Sequence, residues 1–165
     1  AGIKRLIDAL DIILDKTQST DVGILLENTA GSGSWLGYKF SHQKKIIQSL
    51  KHRERIGLCL DTAHAYLAGY DISTKEGLDS VLDEIDNVGK SLLKMIHLND
   101  AKDNLGSHRD RHEHIGKGKI GMEGMERIIN HPRLRSLPFI LETPKKTDKD
   151  DAMNLDTVRE LRHAG

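Results

Sequence analysis

Long apolar runs are missing from this chain: no stretch approaches the roughly 20 residues that cross a bilayer, and no basic segment leads into a short apolar core near the N-terminus. A soluble, cytoplasmic protein with no membrane partner is the expectation. Cysteine is nearly absent, and the single Cys59 excludes an internal disulfide and a Cys-ligated structural zinc, which fits a reducing compartment. Charge of one sign is lacking as well, since 25 Lys and Arg balance 25 Asp and Glu. Without a global field, any contact with nucleic acid has to rest on a local patch or on metal ions. No Ser/Pro/Gly tract divides the 165 residues, and 37% of them are hydrophobic, so one compact domain over 1–165 is expected rather than a disordered or fibrous chain.

What the sequence does have is nine histidines and four short apolar runs: Val22 to Leu26, Ile56 to Leu60, Leu92 to Ile96 and Phe139 to Leu141. The runs lack polar alternation, as strands buried on both faces of a parallel sheet do. They predict strands near 22–27, 56–61, 92–98 and 138–142. Between them, apolar residues recur at three- and four-residue steps, which predicts helices. Ile3, Leu6, Ile7, Leu10, Ile13 and Leu14 form the first such stripe, and Ile46, Ile47 and Leu50 the second. Leu78, Val81, Leu82, Ile85 and Val88 form the third, with Ser73 and Glu76 read as its capping box. Met125, Ile128 and Ile129 precede a stop near His131 and Pro132, and Leu155, Val158 and Leu161 mark a last helix. The order is one helix, then β-α four times. A polar, glycine-punctuated stretch from Asn99 to Gly121 reads as a long loop, functional or disordered.

Each apolar run ends in a metal-competent side chain: Glu27, then Asp61 with His64 just beyond, then His97 with Asp100, then Glu142. Parallel strands of repeated β/α units end on one face, so these groups should converge. One acidic residue at a strand end is ordinarily a helix cap or a salt-bridge partner, but four in phase are costly to gather without a cation. Imidazole mixed with carboxylate, and no thiolate, suits zinc in a hydrolytic site; manganese or iron fits less well. In the long loop, the spacing Asp110-Arg111-His112 puts Asp110 and His112 on one side of an extended segment. With His64 they make a three-ligand set that leaves one position open. The remaining histidines, His42, His52, His108, His114, His131 and His163, are expected at the surface, with His108 and His114 flanking the site. Trp35 and Tyr38 are given no role there. Cys59 reads as a small buried hydrophobe, and Gly31, Gly33, Gly116 and Gly118 as turn glycines.

The motifs LENTAGSG from Leu26, CLDTAHAYLAGYD from Cys59, HLNDAKD from His97, DRHEHIGKGKIG from Asp110 and ILETP from Ile140 resemble the endonuclease IV family. Those enzymes are zinc-dependent apurinic/apyrimidinic endonucleases on a xylose isomerase-like TIM barrel. The resemblance covers nearly the whole chain and implies an α/β fold, the last four β/α units of a (β/α)8 barrel. It further implies a DNA repair hydrolase that cleaves 5′ to abasic sites in double-stranded DNA by zinc-activated hydroxide. Three zinc ions are implied for the family. Glu27 would bridge the first two, and Asp61, His97 and Glu142 would complete the second. His64, Asp110 and His112 would hold the third. Glu27 and Glu142 are thereby expected as catalytic, and Arg111 as a DNA contact, with Lys102, Arg109, Lys117 and Lys119 nearby for phosphates. The family's two histidine ligands of the first zinc fall before this chain starts, so weak or no activity is expected, and the open edges of a half-barrel predict either self-association or marginal stability. A metal-dependent sugar isomerase or epimerase on the same barrel, and a non-catalytic metal-stabilised module, are the alternatives.

Overall fold

The computed structural model describes residues 1–163; the last two residues of the expected domain, 164 and 165, lie outside it. Four strands, β1 (Ile24–Glu27), β2 (Ile56–Asp61), β3 (Leu93–His97) and β6 (Phe139–Ile140), form one parallel sheet in the order β1-β2-β3-β6. The helices α1 (Gly2–Lys16), α2 (Phe40–Ser49), α3 (Thr62–Leu67), α4 (Lys75–Val88), α5 (Gly121–Asn130) and α6 (Asp148–Leu161) precede, connect and follow them. This is the α/β order expected from the sequence, with the short α3 added between β2 and α4. The polar stretch after β3 is more than a loop, because β4 (Asp100–Ala101) and β5 (His112–Glu113) pair antiparallel within it. Two-residue strands carry no alternation that a sequence could show.

The expectation of strands buried on both faces holds for the central β2 alone; β1 is half-buried along its length, Lys94 in β3 is exposed, and Ile140 in β6 is exposed. Every residue of β2 is buried, and Leu58, Leu60, Ile96 and Leu98 join Leu78, Leu82, Ile85, Met125, Ile128 and Ile129 in one core. Full burial of one such side chain contributes about 1.5–3 kcal/mol. β1 and β6 are the outer strands of the sheet. Beside β1, the predicted stripe of α1 is only partly covered: Leu10 and Leu14 are buried, while Leu6 and Ile13 are exposed.

Two local expectations are corrected. The N-cap of α4 is Thr74, whose hydroxyl accepts from Gly77 N–H, while Ser73 instead turns to the Asp71 carboxylate. In α6, Leu155 is exposed and the buried position is Asn154. Its amide oxygen accepts from Ile115 N–H, and its amide nitrogen bonds Thr143 Oγ1 and the His114 ring. A polar residue replaces leucine there because the surface it meets is a loop with unpaired backbone groups rather than an apolar sheet. A capping box at Thr147 and Asp150 starts that helix.

Candidate metal centre

Parallel strands with register Asp61↔His97 and Glu27↔Cys59 bring their C-terminal residues to one rim. Four side chains, Glu27, Asp61, His97 and Glu142, place one ligand atom each within 4.8 Å of one another. Asp61, His64 and His112 form a second set by the same measure, adjoining the first through Asp61. Asp110 completes that set, its Oδ1 lying 3.0 Å from His64 Nε2 and 3.7 Å from His112 Nε2. Of the metal-competent residues singled out from the sequence, seven thus meet along one rim, all but Asp100.

Local structure aims each group. Asp61 caps α3, its Oδ1 accepting from His64 N–H at 2.7 Å, while its Oδ2 accepts from Asn99 Nδ2 at 2.7 Å. His64, one turn into α3, sets Nδ1 2.9 Å from Asn28 O and 3.1 Å from Glu27 Oε1, which turns Nε2 toward Asp110 and His112. His112 Nδ1 lies 3.0 Å from Glu142 O, leaving its Nε2 3.3 Å from that of His64. The His64 and His112 imidazoles therefore each have one nitrogen tied to a backbone carbonyl and the other pointing inward, the arrangement that fixes a metal ligand's tautomer.

Electrostatically the rim holds more acid than it can neutralise by itself. Burial pushes the Asp61 carboxyl upward, against the opposing pull of His64, His112 and Asn99. Burial would lower His64, but Glu27, Asp61 and Asp110 outweigh it and push its pKa up to about 10. For Glu27, burial is outweighed by His64 and His97, which hold it below the usual carboxylate range. Cys59 lies beneath these carboxylates, and burial with the nearby Glu27 pushes its thiol up to about 12. Metal ions fit this donor set on one further observation. Among the described residues, His97 Nδ1 is buried with no hydrogen-bond partner, although Glu142 Oε2 lies 3.0 Å and Glu27 Oε1 3.4 Å away. The carboxylates sit close enough for attraction but off the line an N–H would take. A cation among them satisfies all three.

Three sequence readings change. Asp100 does not reach the rim: its buried carboxylate accepts N–H bonds from Ala101, Gly118, Ile120 and Gly121 and so closes the turn after β5. Gly118 is required there, since a Cβ would collide with Asp100 Oδ1 and Ala101 O. His114 is half-buried against Asn154, while His108 is exposed as expected, its Nδ1 meeting Ala30 O at 2.9 Å. His131 is mostly covered, with Nε2 3.0 Å from Asp79. Tyr38 stacks edgewise on His42 and His108, and Trp35 is exposed. Arg111 stands at the rim between Asp110 and His112, half exposed and held by Asp103 through bonds of 2.7 and 2.5 Å. Sequence reasoning missed Asn28 and Asn99. Their signal was position alone, one and two residues beyond a strand end.

A family model described as a xylose isomerase-like TIM barrel matches residues 1–163. A protein named probable endonuclease 4 from Methanoculleus marisnigri is 45% identical over 165 residues, covering 99% of this chain and 58% of the relative. Another of the same name from Halothermothrix orenii is 46% identical over 155 residues, covering 93% and 55%. Among solved structures, endonuclease IV from Thermus thermophilus superposes with a TM-score of 0.84 at 37% identity, over 96% of this chain and 57% of that one. The chain spans a little over half the length of the relatives it matches, and the four parallel strands described above are a partial barrel.

Proposed function

The chain belongs to the xylose isomerase-like TIM barrel family, and on that premise we propose that it carries part of the active rim of a metal-dependent DNA repair endonuclease that cuts 5′ to abasic sites. The observation that carries this reading is the pair of adjoining ligand sets at the C-terminal strand ends. Glu27, Asp61, His97 and Glu142 would hold one ion, and His64, Asp110 and His112 a second, with zinc favoured by the mixture of imidazole and carboxylate. When bound by these residues, zinc would supply Lewis acidity, lowering the pKa of a bound water and offsetting charge on a phosphate. Glu27 and Glu142 line the side of the rim where water reaches, being 34% and 47% exposed at their side chains, and are the residues proposed to face the reacting phosphate. Arg111, already oriented by Asp103, offers a charged fork for a backbone phosphate beside the ligands. Lys102, Arg109, Lys117 and Lys119 extend that positive side.

The Asp110-Arg111-His112 loop favours a nuclease over a sugar isomerase, because it supplies the third of the metal sites that the family resemblance implies, one more than an isomerase would need. The names of the relatives support the same reading. The test offers the zinc-loaded chain a duplex with one abasic site beside an undamaged duplex. Preferential binding of the abasic duplex, with at most weak incision 5′ to the abasic site, is expected, and both should be lost in Glu142→Gln. Equal affinity for both duplexes without incision overturns the reading.

A further inference from the structure

The geometry points to Asn99 as a positioning residue, with Asn28 beside it: side-chain amides that continue the sheet's hydrogen-bond ladder past the last strand residue and so set the spacing of the ligand carboxylates. This rests on the metal reading above. The regular strands end at Glu27 and His97, one and two residues short of these asparagines, and both asparagines are buried. The Asn28 amide faces the Asp61 peptide as another strand would, accepting from Asp61 N–H at 2.8 Å and donating to Asp61 O at 3.0 Å. It joins the tips of β1 and β2, hence Glu27 to Asp61.

Asn99 spans two strands that are not neighbours. Its Oδ1 accepts from Glu142 N–H at 2.8 Å while its Nδ2 donates to Asp61 Oδ2 at 2.7 Å. The Thr62 hydroxyl brackets its peptide, accepting from Asn99 N–H at 2.9 Å and donating to Asn99 O at 2.6 Å. β6 pairs with β3 through Phe139 and Ile140 only, so Glu142 lies beyond the ladder, and the amide of Asn99 is what fixes it relative to Asp61. A carboxamide suits the place because it accepts on one side and donates on the other. Being neutral, it orients Asp61 without neutralising it, and the full carboxylate charge stays available to a cation. A lysine would fix the same oxygen and cancel that charge.

Titration of the full chain with Co2+, read by visible absorption together with far-UV circular dichroism, tests this. The unaltered chain is expected to take two ions. Asn99→Ala should keep the helical signal, weaken one of the two ions by about 10- to 100-fold, as loss of a residue that orients ligands does, and alter its absorption band, leaving the ion of His64, Asp110 and His112 within about threefold. Thr62→Val, nearly isosteric and safer for folding, removes both bonds to the Asn99 peptide and should weaken the same ion severalfold. If a folded variant keeps both the affinity and the band of the unaltered chain, the positioning role is wrong and the metal sites stand. If the unaltered chain takes no Co2+, the metal reading fails and this inference fails with it.

Discussion

Replacing Asp100 with alanine tests the part of the fold that delivers the long loop, independently of any metal. The carboxylate is fully buried and accepts four backbone N–H bonds, three of them from the turn at 118–121. Burial pushes its pKa upward even against those four bonds, so the ion itself is not a net gain to stability. The cost of Asp100→Ala comes instead from the donors left behind. Ala101 and Ile120 are buried, whereas Gly118 and Gly121 are half-buried and recover water. Two stranded donors at about 1–3 kcal/mol each, partly offset by removal of the buried charge, give a net loss of about 2–4 kcal/mol. At about 2–4 °C per kcal/mol for a chain of this size, the melting temperature should fall by roughly 5–15 °C. Thermal melts measure that, and hydrogen exchange should show lost protection at Gly118, Ile120 and Gly121. A fall under about 2 °C with unchanged protection at those amides would refute the reasoning, because a buried four-donor nest cannot lose its acceptor at so little cost.

Leu60→Ala, at a fully buried position in the central β2, should cost about 2–5 kcal/mol in chemical denaturation, and a loss below about 1 kcal/mol would mean the core around β2 is not packed as described. Cys59 should resist thiol reagents in the folded chain at pH 8, since its pKa is pushed up to about 12 and it is buried, and should react on unfolding; labelling of the native chain within minutes would contradict this. Stripping metal leaves a proton on His64, whose folded pKa of about 10 exceeds the ordinary imidazole value. Its contribution to stability is then whole below about pH 6.5 and is lost as pH rises toward 10. Metal uptake near pH 8 should accordingly release about one proton from this residue, read by calorimetry in buffers of different ionisation enthalpy, and uptake without release would show that His64 binds none. His112→Ala should remove one bound ion of two in elemental analysis, and a chain that still holds both would dissolve the second ligand set.

The sequence by itself determined the α/β class, the four strands within a few residues of their ends, and the seven side chains that gather at the rim. These were legible because buried parallel strands write themselves as unbroken apolar runs, and because strand direction alone sends Glu27, Asp61, His97 and Glu142 to a common face. Only the tertiary structure decided what Asp100, Asn28, Asn99 and Asn154 do. An Asp beyond a strand end reads the same whether it faces a cation or a ring of backbone N–H groups, and the choice falls to which donors the fold brings near. Asp100 meets the 118–121 turn because β4 pairs with β5. Asn99 meets both Asp61 and Glu142 because β3 lies between β2 and β6. Such partners are 18 to 43 residues apart along the chain, too far for any local pattern to encode, and a hydrogen bond needs its partner's position to a few tenths of an ångström, which only the packed sheet supplies.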